Sequence, residues 1–375
     1  MTESLIINAA TVIRIVLVGG IMMVIPLVTR RGLLFGVYVG EEFSVSDEAR
    51  RLVRQWNVTC VGIMAVSLVI GLGIALTGHA LAGNVVGTVV LLLAFLALYL
   101  RMYYAARRLA PAAAARQAET SVAVLEAGAT KGTTLAMIAL AVCIVASLAS
   151  MSYAMLGYPD MPDRVPTHFG ASGEADAWSD KSLVSVLLLP TLNLVMSPFL
   201  ALMALLTTRA KRSVRGGTGG RSIEAQNAFR GATANLLSGT ALLTCTMMTY
   251  LSVQATRVAL GQIRSLGNGI WWITGVTVVF VFGGLIWIIV RYGQGGAFVE
   301  QGSADAPLTD GIADNAHWVW GVFYVNKDDP SILVEKRWGV GYTINFGNRW
   351  AVLLMVGFLV VILGLALVGV LDASG

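Results

Sequence analysis

The sequence predicts an all-α polytopic membrane protein with about eight transmembrane helices and a small cytoplasmic β-meander before the last helix. Three observations carry that reading. Hydrophobic residues make up 56% of the 375 positions and charged residues only 13%, against about a quarter charged in soluble domains. The mean hydropathy is +0.75. The apolar residues are also gathered into runs of about 20, the length at which a helix crosses a bilayer.

The eight runs cover residues 5–29, 57–77, 84–103, 134–156, 183–207, 231–254, 270–290 and 350–371. The first lacks a basic start and a small-residue cleavage site, so a retained span is expected there rather than a cleaved leader. Basic residues cluster after the first, third, fifth and seventh runs, while the alternate loops hold few. The basic side is expected to face the cytoplasm, which places both termini and the loop at 161–182 outside a bacterial cytoplasmic membrane. The net charge of +5 is spread over four loops, so it reads as a topology signal and excludes a nucleic-acid footprint. Between the fourth and fifth spans the expected boundary is a loop at 157–182. The regions on either side are 1–156 (four helices), 183–292 (helices five to seven), 293–349 (β-rich) and 350–375 (last helix and tail).

Within the membrane, the fifth run carries Pro190, Asn193 and Pro198. Each proline removes a backbone donor, and the freed carbonyls need neighbours or trapped water. Such a helix either lines a polar cavity or hydrogen-bonds a neighbour through Asn193. Arg14 in the first run is expected to snorkel to the outer interface, where a carboxylate of the outer loop is a reasonable counter-ion. Cys60, Cys143 and Cys245 fall in or beside spans without CxxC spacing, so they read as small apolar packing residues. A short aromatic and β-branched stretch at 33–39 is followed by a charged run at 41–54, which reads as an interfacial helix leading into the second span. The segments 111–116 and 215–221 read as flexible connectors.

The loop at 161–182, MPDRVPTHFGASGEADAWSDKS, is the densest polar insert. Pro162 and Pro166 stiffen its approach, and Gly170 and Gly173 permit a reversal. His168 with Asp163, Glu174, Asp176 and Asp180 could converge as a metal or cationic-peptide site. The plainer reading is a folded plug, with His168 bonded to a carboxylate, Trp178 at the interface and Lys181 paired with Asp180 or a lipid phosphate. The plug is preferred, because one histidine with scattered acids is a weak ligand set.

The second structured insert, at 317–348, alternates through Trp318, Trp320, Val322 and Tyr324, and again through Ile332, Val334 and Lys336. A turn cluster at 326–330 separates these stretches, and residues 341–346 could add a third strand. A β-meander against the inner membrane face is expected, with its tryptophans at headgroup level. Asp328 and Asp329 beside Asn326 lack calcium-loop spacing and read as a solvated turn.

Two motifs carry a resemblance. The pattern P-x-H-F-x-x-x-G-x-x-D-x-W-x-x-K-S from Pro166 to Ser182 resembles the domain shared by SdpI-like membrane proteins of Gram-positive bacteria. The pattern W-x-W-G-x-F-Y-x-N-x-D-D-P from Trp318, followed by K-R-x-G-x-G-x-T-x-N-F from Lys336, looks like a second, uncharacterised domain found in the same chains. The FGV stretch at Phe35 fits such proteins too. The resemblance implies a sensor or immunity protein that meets a secreted peptide toxin outside and a regulator inside. By that reading Pro166, His168, Phe169, Gly173, Asp176, Trp178 and Lys181 form the ligand surface.

Two other classes fit the sequence less well. A transporter with a cavity at the fifth helix needs a matching broken helix in a second half, and no partner for Pro190 and Pro198 is visible. An enzyme is not expected, because HExxH and GxSxG are absent and the three histidines are expected on different sides. No cofactor is implied, and the metal question stays open.

Overall fold

The computed structural model describes residues 2–30, 32–110, 132–170, 172–211, 219–300 and 315–374. All eight expected runs fall on long helices, the first two overrunning theirs by one residue: α1 (Thr2–Val28), α3 (Asp47–Leu76), α4 (Ala80–Leu109), α5 (Thr133–Gly157), α6 (Leu183–Thr207), α7 (Gly219–Ala259), α8 (Gly269–Tyr292) and α10 (Arg349–Ser374). Among the described residues eight helices are therefore long and apolar enough to cross a membrane, and the chain is an integral, multi-pass membrane protein. The connector expected at 111–116 lies outside the described residues. So does most of that at 215–221, whose last three positions open α7.

The helices form two packed groups. In the first, α1 lies against α3 and α4. Those two approach through Gly71, Gly83 and Gly87, and a Cβ on Gly83 would sit 2.2 Å from the Gly71 carbonyl oxygen. Small residues let backbones approach where lipid offers no hydrophobic drive between helices. The second group centres on α5, α6 and α7, joined by fully buried Ala139, Cys143, Ala201 and Ala241. The fourth span thus packs chiefly with the later helices. On the outside of this group, α8 lies on α7 and α10 on α6, the latter through stacked Phe199 and Phe358 rings 3.7 Å apart.

The charged run at 41–54 is not one interfacial helix. A short hairpin, β1 (Leu33–Leu34) and β2 (Val37–Tyr38), is followed by the single turn α2 (Glu41–Ser44). Ser46 then caps α3 by accepting the Ala49 N–H. With Asp47 and Glu48 in its first turn, where the dipole favours acids, α3 continues unbroken through the membrane run.

The insert at 161–182 is a β-hairpin of β3 (Arg164–Phe169) and β4 (Ala175–Asp180). It leads into α6 through a reciprocal capping box of Ser182 and Ser185, the arrangement that satisfies two orphan helix donors at once. The second insert is built from two hairpins: β5 (Trp318–Val319) with β6 (Phe323–Tyr324), and β7 (Leu333–Glu335) with β8 (Tyr342–Ile344). A parallel bridge between Tyr324 and Asn345 links them. The alternating run from Trp318 to Tyr324 is therefore folded back on itself rather than extended. Trp320 and Gly321 have φ of 52° and 68°, which no strand residue adopts. The remaining short helix, α9 (Ala297–Glu300), follows α8.

Candidate functional site

The β3–β4 hairpin closes one end of the second helical group. Met161 and Val165 are buried against Ala259, and Pro166 is buried on β3, where a two-stranded edge tolerates its missing donor. At the tip, the Gly173 carbonyl accepts the Leu266 N–H at 2.8 Å, so the α7–α8 loop holds the turn. Gly173 is buried and Phe169 half-buried, while His168 and Asp176 are exposed.

Across the strands His168 Nδ1 lies 2.5 Å from Asp176 Oδ1, with 69% and 52% of the side chains exposed. This is the single carboxylate bond of the plug reading; the convergence of four carboxylates that a metal site would need does not occur. Only Asp176 reaches the ring, because strand pairing sends Asp180 opposite Arg164 at the far end. Among the described residues no three metal-ligating side chains come together.

Lys181 is not paired with Asp180. Its Nζ donates to the carbonyls of Met161 at 2.8 Å and Pro159 at 3.4 Å and sits 4.9 Å over the Tyr158 ring. It fastens the start of the hairpin to its end. Trp178 stays 43% exposed, and its carbonyl accepts Arg164 Nη2 at 3.0 Å. The solvent-facing side of the hairpin is thus Trp178 with the His168–Asp176 pair.

In α6, Pro190 and Asn193 are buried. Asn193 Nδ2 donates to Thr249 Oγ1 on α7 at 3.0 Å, and Ser197 Oγ donates to Asn193 Oδ1 at 2.7 Å. This is the interhelical bond the sequence offered as one of two accounts. Pro198 lines a groove of about 440 Å³ between α6 and α10 that opens widely on the lipid-facing side. Among the described residues Arg14 has no carboxylate partner. Its Nη2 donates to the Asn84 carbonyl on α4 at 3.3 Å, since the β3–β4 hairpin belongs to the other helical group.

At the opposite end of α6, the paired hairpins β5–β8 are docked by two anchors. The first follows directly on α6. Just past its last turn, the Lys211 N–H donates to the Leu333 carbonyl at 3.0 Å. Lys211 Nζ donates to Asp329 Oδ2 at 2.7 Å, and Tyr324 OH donates to the same oxygen at 2.9 Å. Asp329 is therefore no solvated turn residue. It is 8% exposed because the Asn345 side chain, bonding to the Asn326 and Asp329 carbonyls, folds the turn inward. Burial works to raise its carboxyl, but the bonds from Lys211 and Ser331 outweigh that and hold it below the ordinary value. Lys211 is the mirror case: burial works to lower it, and Asp329 and Tyr324 hold it above. Asp328 is exposed, and its N–H donates to Asn326 Oδ1 at 2.9 Å, a side-chain turn of the kind Asn favours.

The second anchor joins β5–β8 to the first helical group. Trp338 packs among Phe35, Trp56 and Tyr99, with ring centroids 5.4, 5.4 and 5.2 Å away. Beside it the two left-handed turns Phe35–Gly36 and Trp320–Gly321 meet backbone to backbone. A Cβ on Gly321 would lie 2.7 Å from the Gly36 carbonyl oxygen, so only glycine fits. Tyr99 OH donates to the Trp320 carbonyl at 2.7 Å and to the Phe35 carbonyl at 3.4 Å, holding both turns. Arg30 is 2% exposed and 3.9 Å from Glu335, and Gln294 accepts the Arg30 N–H while donating to the Lys336 carbonyl. Trp318 is likewise buried, with Arg337 over its ring at 5.0 Å. Trp318 and Trp338 thus pack into protein, not at headgroup level; Trp320 stays 43% exposed.

Sequence reasoning missed Lys211, Arg30, Tyr99 and Trp338 as site builders. The two cations were read as topology charges, and a charge alone does not announce a partner more than a hundred residues away.

The model of a domain of unknown function (DUF1648) matches residues 145–194, which hold the end of α5, the hairpin and the start of α6. That of a family of unknown function (DUF5808) matches residues 327–352, which hold the Asp329 turn, β7, β8 and the start of α10. No curated protein and no solved structure matches the chain.

Proposed function

We propose that this chain is a membrane sensor of the immunity type. In this reading the β3–β4 hairpin recognises an extracytoplasmic peptide or envelope component, and β5–β8 presents the result to a cytoplasmic regulator. One observation carries it: α6 and α10 each have one end at the hairpin and the other at β5–β8. The hairpin feeds α6 directly, and Lys211 ties the far end of α6 to Asp329 and Leu333. Asn348 at the edge of β5–β8 caps α10 by accepting the Trp350 N–H at 2.9 Å, and α10 returns to touch β4. The two matched family regions fall on these two ends. The resemblance to SdpI-like proteins supplies the ligand class, and the exposed His168–Asp176–Trp178 face supplies groups able to meet a cationic, amphipathic peptide.

The reading is non-enzymatic, and it requires the hairpin to lie outside the cell. Cells expressing the chain are expected to gain resistance to a secreted membrane-active peptide. The double variant His168→Ala/Asp176→Ala should reach the membrane at the same level and lose that resistance, since both side chains are more than half exposed and exposed pairs contribute only about 0–1 kcal/mol to stability. Undiminished resistance in the double variant overturns the assignment of the hairpin face.

A further inference from the structure

Where α5, α6 and α7 meet, polar side chains form a line that starts beneath the hairpin and ends part-way along the helices. At the hairpin end lies a cavity of about 30 Å³ between β3, α6 and α7, bordered by Pro166, Val186, Ser252 and Thr256. Ser252 Oγ beside it is buried without a hydrogen-bond partner, in a residue only 2% exposed. The Val186 carbonyl also lacks its helical donor, because the residue four positions on is Pro190, which has no N–H. Further along come Thr249, Asn193 and Ser197 in a bonded chain. Pro198 likewise deprives the Leu194 carbonyl of its donor. The Cys245 thiol lies 3.9 Å from Thr249 Oγ1 and 3.8 Å from the Cys143 carbonyl. Beyond that lie fully buried Ala201, Ala204 and Ala241, and the next buried hydroxyl, Ser238, is already satisfied by the Ala234 carbonyl of its own helix at 2.8 Å.

An unpaired hydroxyl and an unpaired carbonyl are costly inside a bilayer, where no solvent is at hand to satisfy them. A cavity holds a water molecule once it exceeds about 10–15 Å³ and offers two or more polar partners. The space beside Ser252 meets both conditions. We propose that this seam is a hydrated half-channel: water bridges Ser252 Oγ to the freed Val186 carbonyl, and from there reaches the Thr249–Asn193–Cys245 cluster without crossing to the other face. Water at the proline-freed carbonyls lets α6 flex between its two ends without breaking a backbone bond. The proposal is independent of what the hairpin binds.

The wild-type chain carries its own reporters. In lipid nanodiscs, with both faces open to buffer, silver ion is added for timed intervals and quenched. The protein is then denatured, and the remaining thiols are labelled with a maleimide and mapped by peptide mass. Cys245 is expected to become protected at least about tenfold faster than Cys60, which is fully buried in the other helical group, because a bare cation does not enter a dry apolar interior. Equal rates at the two thiols overturn the proposal. In Ser252→Val, where the added methyl groups fill the cavity, Cys245 should fall to the rate of Cys60. A Cys245 rate unchanged by that substitution shows that water arrives by another path and overturns the seam. If Ser252→Val fails to assemble, the wild-type comparison decides alone.

Discussion

Asp329→Ala is expected to release β5–β8 from α6. Breaking a buried pair by removing one partner costs about 3–5 kcal/mol when the survivor stays buried and unpaired. Lys211 keeps 26% of its side chain exposed and can turn toward water, so the expected loss is smaller, about 2–3 kcal/mol. The readout is limited proteolysis in the glycine-bearing stretch between β7 and β8, with thermal unfolding as the second measure. Lys211→Met should cost at least as much, since it strands the carboxylate, which is only 6% exposed. The apolar pair Lys211→Met/Asp329→Leu should recover most of the loss, because neither charge is then left behind. If Asp329→Ala leaves the protease pattern unchanged, the ion pair is not what docks the segment.

The pH dependence of this anchor follows from the directions of the two shifts. Asp329 is held below its ordinary 3.8, so its contribution is present above that value and is lost as pH falls through the depressed one. Lys211 is held above its ordinary 10.5, so its contribution is present below that value and is lost as pH rises through the raised one. Docking should therefore be flat across the neutral range and fail only in strong acid or strong base. A transition in protease sensitivity between pH 5 and pH 9 would assign the docking to other groups.

The helices were legible because each needs only length and apolarity, which composition reports directly. The hairpin at 161–182 was legible as an object but not as a shape. Its prolines and glycines mark a reversal, yet nothing in the spacing of Asp163, Asp176 and Asp180 says which of them the register sets beside His168. Lys181 shows the same gap. Its nearest acid in sequence is adjacent, while its partners are carbonyls twenty residues back, and a backbone acceptor leaves no trace in side-chain composition. Asp329 was read as solvated because a D-D-P turn usually is. The burial comes from Lys211 and Asn345, far away in the chain, and pairing at that distance is a tertiary fact. The aromatic anchor was half visible: the FGV stretch and the tryptophan-rich insert each stood out, but their meeting depends on two left-handed turns that periodicity does not encode.

Trp338→Ala tests that second anchor. The indole fills the space between Phe35, Trp56 and Tyr99, and removing a well-packed tryptophan costs about 3–5 kcal/mol. The hydrogen bonds from Tyr99 to the two turns depend on the same packing, so their loss should accompany it. The variant is expected to detach β5–β8 from the first helical group while Lys211–Asp329 still holds it to α6, giving a lower unfolding midpoint and new cleavage at the Trp320–Gly321 turn. Combined with Asp329→Ala, the second substitution should cost less than it does alone. A segment already freed at one anchor has fewer contacts left to lose, and neighbours within one docked unit do not add. Simple additivity would mean that the two anchors hold independent pieces, and the link from α6 and α10 to a single β-unit would then fail. Sub-additivity would establish β5–β8 as one rigid body clamped between the two helical groups, which is what a segment reporting the state of α6 has to be.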